Sequence, residues 1–301
     1  MSTSAGLNQT KANQRGELDA PARRASRFER RRHPGGLILQ PRDEALIAAV
    51  YEYRFLSRAQ IQRLFDFGCV TRVNARLRKL FDHRFLSRRF LPAVKGSAEA
   101  LYCLGPESVP IVAEKLGLDS QEIKRKRKDA LEVKDLFLRH NLLVNDVRIS
   151  TFLFSKDDSR LQFVRWIDQS DLWLKVNERT AAGEYFSPDG YCQYRYEDKL
   201  YAFFLELDRS TMSNQRFLGK VYNFLEFGLS GSYQSQFEMN FFRVLVVTQT
   251  RERLLNLKAT VESVTDKMFW FASIDDHLPL RVFDRIWHRA GQTGLWSLIE
   301  A

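Results

Sequence analysis

Residues 241–248, Phe-Phe-Arg-Val-Leu-Val-Val-Thr, constrain this chain more than any other stretch, because they form an almost unbroken apolar, β-branched run. A strand with one wet face alternates apolar and polar side chains. A continuous run has to be covered on both faces, which calls for helices packed above and below a sheet. The neighbouring segments read as those layers. Residues 131–154 carry a long helical period, and 161–167, 186–196 and 200–208 read as strands. Residues 214–227 return to helical spacing through Phe217, Val221, Phe224 and Leu225, 251–264 read as a helix, and 269–273 as a last strand. The order α-β-β-β-α-β-α-β predicts an α/β (α+β) unit with a mixed sheet over residues 131–301.

A different pattern precedes it. Asp43 is placed to cap a helix carrying Leu46, Ile47, Val50 and Tyr51, and Ser57 to cap a second with Ile61, Leu64 and Phe65 inward. Gly68 ends that helix. A third, over 71–82, buries Val73, Leu77, Leu80 and Phe81. Strands over 85–91 and 101–104 flank a loop with Gly96, and a helix over 107–116 follows. Three helices and a hairpin predict a winged helix-turn-helix over residues 36–118. Residues 1–35 hold hardly a large apolar side chain and read as a disordered basic arm that includes Arg30, Arg31 and Arg32. Five consecutive cations, Lys124 to Lys128, mark residues 119–130 as a basic linker or helix start.

The net charge of +10 is unevenly spread. Residues 1–35 hold 8 Lys/Arg against 3 Asp/Glu, 36–130 hold 18 against 11, and 131–301 hold 21 against 23. The excess therefore lies entirely in the first half, which points that half toward a polyanion. Cys69, Cys103 and Cys192 form no CxxC pair and are odd in number, which argues against a disulfide framework or structural zinc and for a reducing, cytoplasmic setting. No apolar run is long enough to cross a bilayer, so no membrane partner is expected.

On the third helix Arg72, Arg76 and Lys79 fall at i, i+4 and i+7, away from the apolar stripe, with Asn74 and Arg78 beside them. In a helix-turn-helix this face enters the major groove of double-stranded DNA, where Arg and Lys reach guanine edges, Asn pairs with adenine, and other cations hold phosphates. Arg88, Arg89 and Lys95 of the hairpin would reach the backbone beside it. A charged stripe is also what any solvated helix face looks like, winged helices also dock proteins, and basic arms do not distinguish DNA from RNA. A homodimer is compatible with a helix-turn-helix, although no heptad seam is visible.

In the second half, Ser187-Pro188-Asp189-Gly190 leads into one strand and Glu206-Leu207-Asp208 ends the next. Glu206 and Asp208 share a face because strand side chains alternate, and pairing of the two strands would bring Asp189 to join them. Three carboxylates gathered this way suit Mg2+ or Mn2+, and such an ion activates water and stabilises a phosphoryl transition state. The competing arrangement neutralises the acids with Arg209 or Arg165. His140, with Asn141 and Asp146 nearby, is either a metal or phosphate contact or a hydrogen-bonded structural residue. Trp166, Trp173, Tyr191, Tyr194 and Tyr196 either stack on splayed bases or fill a core. The sequence has no P-loop, no GxGxxG after a strand, no Gly-x-Ser-x-Gly elbow and no HExxH.

Pro188-Asp189 on one strand and Glu206-x-Asp208 on the next resemble the PD-(D/E)xK nuclease superfamily. More narrowly, residues 40 to 290 resemble the replication-relaxation family of bacterial plasmids and mobile elements. The carrying stretches are the early winged helix, His140, the turn 187–190, the stretch 204–211, and the strand 244–248 followed by Arg251 and Arg253. The resemblance implies a restriction-endonuclease-like second domain, a role in replicating or mobilising plasmid DNA, accompanying replication or mobilisation proteins, and relaxation of supercoils by nicking. It also implies a catalytic set of Asp189, Glu206 and Asp208 as metal ligands. Asp208, however, stands where that superfamily usually has Lys, and Lys220 on the following helix is the substitute, unless it is a surface lysine lying along the sheet. Two functions stay open: a metal-dependent nickase, or a non-catalytic replication or transcription accessory protein that keeps the fold as a scaffold.

Overall fold

The computed structural model describes residues 26–91, 98–176, 186–209, 212–277 and 280–299. The arm up to residue 25, the hairpin loop with Lys95 and Gly96, and Ser210 and Thr211 lie outside the described residues.

Helix α1 (Pro41–Glu52) opens with Pro41, whose missing N–H costs nothing at a helix start. Asp43, expected as its cap, instead sits in the third helical position and accepts from the Gln40 backbone N–H at 2.7 Å. A two-residue strand β1 (Leu56–Ser57) leads into α2 (Arg58–Leu64), where Ser57 and Gln60 cap each other reciprocally. Helix α3 (Val70–Asp82) and the strands β2 (Leu86–Phe90) and β3 (Ala100–Leu104) follow as expected. The three strands pair antiparallel in the order β1-β3-β2. Leu46, Val50, Leu56, Ile61, Val73, Leu77, Leu80 and Leu86 close the core of this helix–hairpin unit.

Two helices then run along it, α4 (Val109–Leu116) and α5 (Ser120–Glu132). The basic block is therefore helical throughout: Asp119 caps α5 through the N–H groups of Gln121 and Glu122, and Ile123 and Ala130 anchor it one face down. Residues 26–31, expected to lie free, rest on the hairpin. Arg30 covers the Phe81 ring and donates to the Leu86 carbonyl, the Arg31 N–H donates to Asp82, and Phe28 packs on Phe90.

The second unit comprises α6 (Asp135–Asp157), β4 (Leu161–Asp168), α7 (Gln169–Val176), β5 (Gly190–Tyr196), β6 (Lys199–Asp208), α8 (Asn214–Leu229), α9 (Ser232–Phe237), β7 (Arg243–Thr248), α10 (Arg251–Glu262), β8 (Phe269–Ser273) and β9 (His288–Arg289). The six strands form one mixed sheet in sequence order. β6, β7 and β8 are parallel, and the outer pairings are antiparallel. Val244 to Val247 are buried on both faces, as their unbroken apolar character requires. Ala202 and Phe204 of β6 face α8, α9 and α10, whereas Phe203, Leu205 and Leu207 face α6. Gly190 has no substitute: a Cβ there would lie 2.5 Å from the Trp166 ring.

Helix α6 belongs to both units. Val144 and Val147 pack under the sheet, while Ile149 and Leu138 enter the cores of the helix–hairpin unit. The Asn145 amide donates to the Tyr53 and Phe55 carbonyls at 3.2 and 2.8 Å, and Gln60 donates to the Leu142 carbonyl. Replacing Asn145 with Ala removes both bonds; the Tyr53 carbonyl keeps the Phe55 N–H at 2.7 Å while the Phe55 carbonyl loses the amide, so a destabilisation of about 2 kcal/mol is expected in urea unfolding. An unmoved midpoint would mean that the two units dock without this amide.

Candidate functional site

The candidate site lies where β5 begins and β6 ends. Gly190 pairs with Leu205, and the Asp189 N–H donates to the Leu205 carbonyl at 2.9 Å, so the register carries Asp189 opposite Glu206. Directly opposed residues share a face and stand close together. Asp189 is fixed from two sides: its Oδ2 accepts from the Leu207 N–H at 2.8 Å, and its Oδ1 lies 3.0 Å from His140 Nε2. Glu206 Oε2 accepts from Lys220 Nζ at 2.5 Å. Both carboxylates are buried, at 8% and 4% exposure. α6 thus delivers His140, α8 delivers Lys220, and two adjacent strands deliver the acids.

Burial dominates the electrostatics. The Glu206 carboxyl is raised to about 7, by burial first, against the downward pull of the Lys220 ammonium and with the Asp189 charge adding to the rise. For Lys220 burial opposes the charge, but Glu206 and Asp189 outweigh it and hold the ammonium above the usual lysine value. His140 follows the same logic: burial opposes its charge, but the hydrogen bond to Asp189 and the charges of Asp189 and Glu206 together raise its pKa.

Asp208 does not join this group. It shares the Glu206 face, but it reaches α10, where Arg253 Nη2 donates to its Oδ2 at 2.6 Å and to the Met212 carbonyl, while Arg253 Nη1 donates to the Asn214 side chain. Arg165, one of the arginines foreseen for the role, donates instead to Gln193 at 2.5 Å. Asp146 also stands apart, bound by Gln60 and Arg63 of α2. Among the described residues no three His, Cys, Asp or Glu side chains are grouped to hold a metal ion, so a three-acid pocket does not fit. The Asp189–Glu206 pair has hard oxygen donors suited to Mg2+, which is commonly held by one or two carboxylates plus water. Arg253 could have been suspected from sequence only as a cation one strand beyond a buried acid.

The expected cation stripe divides in two. Arg72, Asn74 and Lys79 are exposed on α3. Arg76 is not available: its Nε donates to the buried Asp43 at 2.6 Å and its Nη2 to the Ile38 carbonyl. Arg78 is held by Asp82 and by the Ser26 and Glu29 carbonyls. Arg88 lies over the Phe81 and Tyr102 rings, and Arg89 donates to Asp135 and the Val133 carbonyl. These four arginines serve the fold, because each has a carboxylate, carbonyl or ring within reach that the sequence places far away. Between α3 and the hairpin remains a concavity of about 630 Å3 lined by Arg27, Arg58 and Asn74.

Because its folded pKa lies above the ordinary histidine value of 6.5, protonated His140 contributes stability that is complete below that value. The contribution is lost as pH rises through the folded pKa. The stability gap between the protein and His140→Gln, measured in chelator by urea unfolding, is expected to be widest near pH 6 and to close in alkali; a gap independent of pH would refute the ion pair.

Comparison with curated proteins gives no match. Among solved structures, restriction endonuclease FokI bound to DNA is similar at 12% identity and a TM-score of 0.26, covering 77% of this chain. The chain spans 42% of that protein, and a superposition this loose assigns nothing. The sequence model for replication-relaxation proteins matches residues 47–244, from α1 to the start of β7, so it takes in α3, His140, Asp189, Glu206 and Lys220. With most of its length, the candidate site included, inside that match, the chain belongs to the replication-relaxation family.

Proposed function

We propose that this family member is a DNA-binding protein of a plasmid or mobile element that takes part in replicating or relaxing that DNA. In this reading the helix–hairpin unit is a winged helix that reads duplex DNA, and the six-stranded unit is a restriction-endonuclease-like domain that nicks one strand. The observation that carries it is the pairing of Asp189, immediately before β5, with Glu206 on β6, each against a nitrogen-bearing side chain from a different helix. Buried acids set beside Lys220 and His140 are costly for mere structure and useful for phosphodiester chemistry.

A divalent ion held by Asp189 and Glu206 would supply an acidified water and charge neutralisation at the phosphate. Lys220, already hydrogen-bonded to Glu206, is the group placed to hold a water or phosphate oxygen at that carboxylate. His140 and the Leu207 N–H fix the orientation of Asp189. Asp208 has no part in this scheme beyond anchoring α10.

Supercoiled plasmid incubated with the protein and Mn2+ is expected to yield nicked circles, and none in chelator. Asp189→Asn and Glu206→Gln should each abolish nicking, and Lys220→Ala should slow it about a hundredfold. Intact supercoils at protein excess, or nicking unaffected by both acid variants, would favour the non-catalytic accessory reading, for which the Arg253–Asp208 pair speaks.

On the duplex side, Arg72→Ala with Lys79→Ala should weaken binding and lower the slope of log affinity against log salt by about 2, since two phosphate contacts are lost. Arg76→Ala should reduce stability while leaving that slope in place. An unchanged slope in the double variant would remove α3 from the interface.

A further inference from the structure

Strands β6 and β7 are parallel, so α8 between them begins at the end of the sheet where Glu206 and Asp208 lie. Arg253 pins that beginning, since its guanidinium donates at once to Asp208, the Met212 carbonyl and the Asn214 side chain. The first turn of α8 therefore has a fixed place beside the candidate site. Lys220, Phe224 and Phe227 lie on one side of this helix, toward the sheet, and Arg216 stands on that side one turn before Lys220. At its N-terminal end the helix outruns the sheet. Lys220 accordingly meets Glu206, whereas Arg216 is exposed.

Arg216 is placed against electrostatics. Its own helix offers it no acid, because the residues three and four positions away are Met212, Ser213, Gly219 and Lys220. Among the described residues no carboxylate or carbonyl holds its guanidinium. Its charge works instead against the Lys220 ammonium, which Glu206 and Asp189 sustain. Gly219 adds an independent sign. Glycine weakens a helix interior, and packing gives no reason for it here: a Cβ would meet no neighbouring element within 4 Å. Bare backbone with open space beside two cations lets the backbone of a ligand come close. The ligand's charge follows from the site. Lys220 and His140 are already engaged by Glu206 and Asp189, so an arriving phosphodiester needs a further cation. A guanidinium fork matches two phosphate oxygens at once.

We infer that Arg216 holds a phosphodiester of the DNA strand presented to Asp189 and Glu206, with the strand's backbone passing over Gly219 toward Lys220. The inference rests on the proposed function for the identity of the strand as substrate, but the grip itself requires no cleavage. Arg253 and Asp208 act through Arg216, as positioning residues, by holding the turn that carries it. An exposed helix arginine is in most proteins merely solvated, and a single substitution separates the two cases.

The test is fluorescence anisotropy of the full chain with a labelled duplex in chelator, over a salt series, run beside nicking of supercoiled plasmid in Mn2+. Arg216→Ala is expected to weaken binding about tenfold and to lower the slope of log affinity against log salt by about 1. Arg216→Lys, which keeps the charge, should keep the slope. In nicking, Arg216→Ala should raise KM about tenfold with a smaller loss in kcat, a split that a loss of folded protein does not produce. Gly219→Ala should raise the thermal midpoint, as alanine does inside a helix, and yet weaken binding. The proposal is overturned if Arg216→Ala keeps the full slope, or if Gly219→Ala binds as tightly as the unaltered protein. Because the salt series contains no metal, absent nicking beside a reduced slope would sink the catalytic reading alone. Normal nicking with slope and KM unchanged in Arg216→Ala would sink the Arg216 assignment alone.

Discussion

A buried amide that satisfies two carbonyls of another segment is the interaction on which this arrangement depends. Asn145 caps the turn between α1 and β1, where the chain leaves the helix at Tyr53 and re-enters extended structure at Phe55. Unpaired, those carbonyls would be expensive to bury. With Asn145 in place the turn docks on α6, and Gln60, Arg63 and Arg148 add contacts along the same helix. A single long helix therefore sets the distance between the basic half of the chain and the acidic pair. His140 lies on this helix N-terminal to the docking residues, so the element that joins the units also completes the site.

The site has the character of a set of buried charges that neutralise one another. Taking Asp189 and Glu206 out of water is tolerable because His140, Lys220 and the Leu207 N–H face them. The same contacts push the partners' protonation in opposite senses: burial favours a neutral Glu206, while the neighbouring acids favour charged Lys220 and His140. Such a cluster is held in place by its mutual contacts. Asp208, two residues on, has a guanidinium of its own in Arg253.

Positive charge in the first half does double duty. The count suggested a surface devoted to a polyanion, but Arg76, Arg78, Arg88 and Arg89 each hold a piece of the protein together. Their planar, multi-donor heads bridge carbonyls, carboxylates and rings at once, which lysine does not do as well. Arg72, Lys79 and much of the α5 block are among the cations left exposed, so the surface charge is smaller than the count implies.

Local sequence determined a great deal. The apolar runs of β6 and β7, the Ser57 cap and the stripe on α3 each carry their own local signal, because burial on one face or two is written in neighbouring residues. Glu206 was legible as an acid at the end of an apolar strand, Asp189 from the turn that leads into the strand before it, and Lys220 from the family resemblance. Tertiary structure alone decided which charges meet. Asp208 and Arg253 are 45 positions apart, and Arg76 and Asp43 are 33 apart. The short elements β1, α7 and α9 are too brief to show a period and exist because longer neighbours hold them. Pairing at such separations is fixed by how the sheet and α6 stack, and a linear pattern contains no measure of that distance.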